Sequence, residues 1–143
     1  MAKPDPALLD PARYPFHCAL PTRFSDLDIN RHINNVAMAG LLQEARVQFD
    51  AASGFYDVMV GIGAMVVSLG VEYLAQAYYP EPLDFHAGVF SVGQRSFELQ
   101  QLARQGGRNV ASARWTIVCV AEGKAISLPK AYIDSIGQWM IRP

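Results

Sequence analysis

Apolar residues along the first third of the chain change from a strand-like pattern to a helical one across a short polar segment. Residues 16–24 suit a β-strand. After Asn34 and Asn35, apolar side chains recur every three or four residues, at Met38, Leu41, Leu42, Ala45, Phe49 and Ala52. This spacing predicts one helix of about five turns at ~3.6 residues per turn. Asn34 or Asn35 suits its N-cap, and Gly54 suits the residue that ends it.

From residue 64 onward the pattern predicts strands. They cover residues 64–78, 83–92, 96–105 and 109–121, and Gly106-Gly107 forms a hairpin turn between the last two. Residues 125–128 suit a short final strand, and residues 130–140 suit a short helix. One long helix and a large antiparallel sheet predict an α+β fold in which the sheet curls around the helix.

The length of 143 residues predicts a single domain over residues 1–143. Residues 1–13 hold three of the nine prolines and are expected to form an irregular N-terminal tail. The polar, proline-rich start does not have the pattern of a signal peptide, and the longest apolar stretch, residues 58–71, is interrupted by glycines. We therefore expect no membrane association and a cytoplasmic protein.

Composition narrows the classes of partner. The net charge is −1 and no basic block occurs, which argues against nucleic-acid binding. Only 17% of the residues are charged and 51% are hydrophobic, so we expect part of the apolar surface to lie in a homo-oligomer interface. The two cysteines, Cys18 and Cys119, are far apart and match no zinc or redox motif.

The polar segment before the helix concentrates the residues that suit catalysis. It reads Thr-Arg-Phe-Ser-Asp-Leu-Asp-Ile-Asn-Arg-His-Ile-Asn-Asn over residues 22–35. Carboxylates, amides and an imidazole next to the free N–H groups of a helix start suit a site that acts on a carbonyl group.

This segment, together with Glu-Ala-Arg at residues 44–46, resembles the hotdog-fold acyl thioesterases. The 4-hydroxybenzoyl-coenzyme A thioesterase-like branch has Arg-x-x-Asp-x-Asp, then His-x-Asn-Asn, then Glu-Ala-Arg on the helix. The residues here that fit it are Arg23, Asp26, Asp28, His32, Asn34, Asn35, Glu44, Ala45 and Arg46. The Asp-x-Asn-x-His motif of the plant-type acyl-carrier-protein thioesterases is also similar, and Asp28, Asn30 and His32 fit it.

The resemblance implies a hotdog fold, paired into a homodimer or homotetramer with sites at the dimer interface. It implies hydrolysis of an acyl-coenzyme A thioester. We expect no cofactor, and no metal because Asp28 and His32 have no third ligand at a suitable spacing. Asp28 would be the nucleophile or the general base, Asn30 would orient a water or the carbonyl, and His32 would be a base or would orient Asp28. The backbone N–H groups of Asn35 and Val36 would bind the oxyanion. Glu44 is the second candidate for the catalytic carboxylate.

Two positions depart from the family pattern, and several functions stay open. Many relatives have Gly where Arg31 stands and an aromatic residue where Met38 stands, which leaves the acyl group unassigned. Acyl carrier protein is an alternative to coenzyme A as the thiol carrier. A non-catalytic module that binds acyl-coenzyme A is a further alternative. A hydratase of the same fold is disfavoured because its His follows the Asp by five residues, whereas His32 follows Asp28 by four.

Overall fold

A computed structural model describes residues 4–143 of the protein as one sheet and one long helix. The principal elements are β1 (Phe16–Leu20), α1 (Asn35–Ala52), β2 (Gly63–Tyr73), β3 (Leu83–Val92), β4 (Ser96–Gln105) and β5 (Arg108–Ala121). Shorter elements are α2 (Phe55–Val58), β6 (Lys124–Ala125) and α3 (Lys130–Ser135). None of the helices within residues 4–143 is long and apolar enough to cross a membrane.

All strand pairs in the sheet are antiparallel, and the strand order is β1-β3-β4-β5-β2, with β6 beside β5. The sheet curls around α1, which packs mainly against β1 and β3. Alternate residues of β3, β4 and β5 join the apolar face of α1 in one core, because successive side chains of a strand point to opposite faces. Strand β2 forms one edge of the sheet, and its pairing with β5 leaves its other side open.

A buried polar chain also fixes α1 to the sheet. The Arg46 guanidinium lies 4.7 Å from the centre of the Trp115 ring and donates to Asp50 at 3.1 Å. Gln101 accepts from the Trp115 indole and donates to the carbonyl oxygen of Leu42 at 3.0 Å. Burial raises the pKa of Asp50 to about 7, although the neighbouring Arg46 opposes the shift.

The predicted element boundaries agree best with the structure where a strand ends at a turn. Strands β3 and β4 begin and end at the predicted residues, and Gly106 and Gly107 have positive φ in the hairpin between β4 and β5. Strand β1 ends at Leu20 rather than at residue 24, because Pro21 has no N–H for a ladder bond. Strand β2 ends at Tyr73 rather than at residue 78.

The N-terminal segment is more ordered than the expected irregular tail. Two 3₁₀ helices, Pro6–Leu9 and Pro11–Arg13, each begin at an aspartate whose side chain accepts a first-turn N–H. Those aspartates, Asp5 and Asp10, accept at 2.9 and 3.0 Å. Residues 1–3 of the predicted tail lie outside the described residues.

Candidate active site at the start of the long helix

The first half of the loop before α1 is held by a buried carboxylate. Asp26 is 1% exposed and accepts from the Arg23 guanidinium at 2.7 Å and from the Arg23 backbone N–H at 2.9 Å. Asn34 donates its backbone N–H and its side-chain amide to the Asp26 carbonyl oxygen, each at 2.9 Å. The hydrogen bond from Arg23 lowers the pKa of Asp26. The Asp26 carboxylate therefore fixes the turn that begins at Arg23, and the Asp26 carbonyl oxygen joins this turn to the helix start.

The second half of the loop presents Asp28 at the surface. One carboxylate oxygen, Oδ1, accepts the backbone N–H of Asn30 at 2.8 Å and that of His32 at 3.1 Å. The Asp28 backbone N–H donates to the His32 carbonyl oxygen at 2.9 Å, which closes the loop. The other oxygen, Oδ2, has no hydrogen-bond partner among residues 4–143. Asp28 is thus oriented through one oxygen while the second is available to a ligand.

The start of α1 provides two unpaired donors. Asn34 is the N-cap, and its side-chain oxygen accepts the Ala37 N–H at 2.7 Å. Its carbonyl oxygen accepts the Met38 N–H at 2.9 Å. The N–H groups of Asn35 and Val36 have no acceptor within the described part of the chain. Free first-turn N–H groups carry the positive end of the helix dipole and suit a developing oxyanion.

The other two predicted catalytic side chains are placed differently from Asp28. The His32 ring packs edge-on against the Tyr78 ring, with 5.3 Å between the ring centres. No bond joins this ring to Asp28 among residues 4–143, so His32 holds Asp28 through its backbone. The Asn30 side chain is exposed beside Asp28 and has no hydrogen-bond partner in the same range.

A cavity of about 480 Å³ opens at Asp28. Phe24, Leu27, Arg31 and Tyr79 form the rest of its lining. The Phe24 and Tyr79 rings meet edge to face, with their centres 6.1 Å apart. The cavity therefore combines a carboxylate, a guanidinium and two aromatic rings.

Arg31 has the backbone conformation that favours glycine. Its φ is 64°, in the left-handed region that L side chains seldom adopt. This geometry explains why a glycine suits the position before the histidine in the family pattern. In this chain Arg31 adopts the less favourable conformation, and its side chain contributes to the lining of the Asp28 cavity.

Glu44 lies apart from the residues around Asp28. It is exposed on α1 and accepts from the Gln48 side chain at 3.3 Å. Nine residues separate it from Asn35, which is ~13 Å along a helix axis. The structure therefore places Asp28, Asn30 and His32 in one hydrogen-bonded loop that leads into the helix start, and leaves Glu44 further along the helix.

The sequence motif does not indicate three aromatic residues of the site. Tyr73 donates its hydroxyl to the Asn35 carbonyl oxygen at 2.9 Å, and Phe24 and Tyr79 line the Asp28 cavity. The adjacent pair Tyr78-Tyr79 before Pro80 was the available signal, because exposed neighbouring aromatic residues suit a binding site. No group of three His, Cys, Asp or Glu side chains suited to a metal ion occurs among residues 4–143.

The curled antiparallel sheet around one long helix is the hotdog fold of the thioesterases. The family model of the thioesterase-like superfamily matches residues 22–139, and the chain belongs to this family. Hydrolysis of a thioester is the reaction class that this family supports. No curated protein matches the chain.

Solved structures share the fold at low sequence identity. A thioesterase from Thermus thermophilus in complex with coenzyme A and Zn is 21% identical, with a TM-score of 0.80, over 92% of this chain and 98% of that chain. The YbaW probable thioesterase from Escherichia coli is 24% identical, with a TM-score of 0.76, over 88% and 98%. The BH1999 gentisyl-coenzyme A thioesterase is 16% identical, with a TM-score of 0.75, over 85% and 100%.

Proposed function

We propose that the protein is an acyl-coenzyme A thioesterase in which Asp28 is the reacting carboxylate. The observation that carries the proposal is the position of Asp28. One of its oxygens is fixed by two backbone N–H groups and the other is free, in a cavity of the loop that leads to the two free N–H groups at the start of α1. Coenzyme A is the preferred thiol carrier because a neighbour of the same fold is a complex with coenzyme A.

The proposed reaction begins with the thioester carbonyl oxygen accepting the N–H groups of Asn35 and Val36. Asp28 removes a proton from a water, and the oxygen of that water bonds to the carbonyl carbon. The negative charge that moves to the carbonyl oxygen is stabilised by the two N–H groups. The tetrahedral intermediate then breaks its C–S bond. The thiolate receives the proton from Asp28, and the products are a carboxylic acid and coenzyme A.

Asp28 can instead attack the carbonyl carbon itself, which breaks the C–S bond, expels the coenzyme A thiolate and gives a mixed anhydride. Water then hydrolyses the anhydride to the two carboxylic acids, and the thiolate takes up a proton released in this step. A label found in Asp28 after a single turnover in H₂¹⁸O would establish the nucleophilic route. If Asp28 is the nucleophile, water attack on the Asp28 carbonyl of the anhydride leaves one ¹⁸O in the Asp28 peptide, which mass spectrometry detects. If Asp28 is the general base, the label appears in the product acid alone.

The function is tested by the release of free thiol from a panel of acyl-coenzyme A and acyl-carrier-protein substrates. We expect turnover of the coenzyme A thioesters. Turnover of the carrier-protein thioesters alone would assign the other carrier. Binding of acyl-coenzyme A without release of thiol from any substrate would contradict the enzyme and support the binding module.

We further propose that the protein acts as a homodimer through the open edge of β2. This edge strand has eleven residues, and its exposed apolar side chains include Met65, Val67, Leu69 and Tyr73. It contains no proline or lysine, the residues that commonly protect an edge strand from pairing. Antiparallel pairing with the β2 strand of a second copy would extend the sheet and cover these side chains.

Val67→Glu tests this dimer, with Val60→Glu as its matched control. Both valines are exposed, at 54% and 80%, but Val60 precedes the strand. We expect Val67→Glu to be a monomer and Val60→Glu to be a dimer in analytical ultracentrifugation, because a buried carboxylate in the interface is costly. A wild-type monomer at micromolar concentration would contradict the proposal.

A further inference from the structure

We propose that the acyl chain of the substrate lies in an apolar groove on the exposed side of α1, and that this groove suits an unbranched aliphatic chain. This inference rests on the proposed thioesterase function and adds its substrate class. The groove has a volume of about 590 Å³. Its lining includes Leu20, Pro21, Val36, Ala37, Gly40 and Leu41, so it is bounded by the helix on one side and by the end of β1 on the other.

The groove reaches the start of α1, where the proposed oxyanion donors lie. Val36 lines the groove and also supplies one of the two free N–H groups at the helix start. Arg23 lines the groove, and the next residue, Phe24, lines the Asp28 cavity. A thioester carbonyl bound at the helix start can therefore direct its sulfur towards the Asp28 cavity and its alkyl chain into the groove.

A second cavity meets the helix start but suits an alkyl chain less well. It has a volume of about 220 Å³, and Asn35, Tyr73 and Gln76 contribute to its lining. The Tyr73 hydroxyl is fixed on the Asn35 carbonyl oxygen in that lining. Tyr73 is also the last residue of β2, the edge strand that would pair with a second copy in the proposed dimer. The groove is the larger and more apolar of the two spaces.

The length of the groove limits the length of the chain. Eight residues separate Val36 from Glu44, which is ~12 Å along the helix. An extended alkyl chain advances roughly 1.3 Å per carbon, since its C–C bonds of about 1.5 Å alternate in direction. The groove thus holds about eight to ten carbons. The exposed Glu44 carboxylate lies at the far end of the groove. It disfavours a longer apolar chain, because such a chain would remove the carboxylate from water.

Gly40 makes the groove testable with one substitution. A Cβ atom at this position would meet no heavy atom within 4 Å, so a larger side chain enters open space. Leucine also has a higher helix propensity than glycine, so Gly40→Leu is expected to fold. Ala51→Leu is the matched control. Ala51 is exposed on α1 eleven residues later, about three turns along the same helix face and beyond the groove.

The first readout is kcat/KM for acyl-coenzyme A substrates with 4, 10 and 16 carbons. We expect the wild type to prefer the ten-carbon chain. Gly40→Leu should lower the ratio of kcat/KM for ten carbons to that for four carbons by about tenfold or more. Ala51→Leu should keep the wild-type ratio. If Gly40→Leu also keeps it while the wild type hydrolyses these substrates, the groove proposal is wrong and the thioesterase function stands.

The second readout does not need turnover. The dissociation constant of the non-hydrolysable thioether analogue of decanoyl-coenzyme A is measured by calorimetry. We expect Gly40→Leu to weaken binding about tenfold. If the wild type hydrolyses nothing but Gly40→Leu weakens this binding, the groove stands and the thioesterase function fails. If the analogue does not bind, or binds both proteins equally, the groove proposal is overturned.

The third readout is the oligomeric state of the same proteins. We expect the wild type and Gly40→Leu to have the same mass in analytical ultracentrifugation. A lower mass for Gly40→Leu, with an unchanged preference for chain length, would overturn the proposal and assign the groove to contact with another copy of the chain.

Discussion

The two halves of the loop before α1 use the same side chain in opposite ways. Asp26 is 1% exposed, and its two oxygens accept from the side chain and the backbone of Arg23. Asp28, two residues later, is exposed and has one oxygen fixed and one free. The Asp26 carboxylate therefore stabilises the loop, whereas the loop positions the Asp28 carboxylate.

This difference determines which chemistry each group can perform. A carboxylate saturated by a guanidinium and a backbone N–H is a weak base, and the lowered pKa of Asp26 reflects that bonding. Asp28 is positioned by two backbone N–H groups and keeps an oxygen for a substrate or a water. Substitutions in the first half should therefore change stability, and substitutions in the second half should change turnover.

After that of Asp28→Asn, the largest loss of turnover is expected from Asn35→Pro, at the helix start that follows the loop. Proline is tolerated at the first position of a helix and removes the Asn35 N–H, and Asn34 already has the extended backbone that precedes a proline. Loss of one oxyanion donor should lower kcat by about 10²–10³-fold, as measured by thiol release. The control Asn35→Ala keeps the N–H and should stay within a few-fold of wild type. Equal activity of the two variants would exclude this N–H as the donor.

Substitution of Asp26, in the first half of the loop, should lower the stability of the protein. Asp26→Ala removes the buried carboxylate that accepts from the Arg23 guanidinium and backbone N–H, so the free energy of unfolding should fall by about 1–3 kcal/mol. Urea denaturation measures this change. Asp28→Ala is the matched control, and we expect a much smaller loss because Asp28 is exposed. A larger loss for Asp28→Ala would reverse the assignment of the two halves.

The same comparison predicts the behaviour of the protein in acid. The pKa of Asp26 is lower in the folded protein than its ordinary value of 3.8. The folded state therefore gains stability from Asp26 above that value and loses it as the pH falls through the lowered pKa. Between about pH 5 and pH 3 the free energy of unfolding should fall less steeply for Asp26→Asn than for wild type. Identical slopes would show that Asp26 contributes nothing to the acid response.

A smaller effect is expected at the junction of the two halves. Asn34→Ala removes the acceptor of the Ala37 N–H and the amide that donates to Asp26. Loss of an N-cap should cost about 1 kcal/mol of stability in urea denaturation. Asn34→Asp keeps the capping oxygen and should recover most of this loss. No recovery would mean that the hydrogen bond from the Asn34 side-chain amide to the Asp26 carbonyl oxygen, rather than the cap, stabilises the helix start.

Much of the fold could be predicted because local sequence determines it. The period of Met38, Leu42, Ala45 and Phe49 predicts the buried face of α1, and all four are buried. Alternation and turn residues also predict β3 and β4 to the residue. The family resemblance was needed to choose the hotdog fold, because pattern alone specifies the elements and not their arrangement.

The rest depends on contacts between distant parts of the chain. The edge-to-face contact of Phe24 and Tyr79 and the bond from Tyr73 to Asn35 join residues far apart in sequence. The groove beside Gly40 arises from the spacing of α1 and the end of β1. The motif does predict the cluster of Asp28, Asn30 and His32, but it does not show that the His32 ring packs on Tyr78.

The most direct test is to measure kcat and the unfolding midpoint of Asp28→Asn and Asp26→Asn side by side on one acyl-coenzyme A substrate. We predict that Asp28→Asn loses at least about 10³-fold in kcat and unfolds like the wild type. Asp26→Asn should unfold more easily and keep most of its turnover once folded. Wild-type turnover in Asp28→Asn would contradict this account and would make Glu44 the next carboxylate to test.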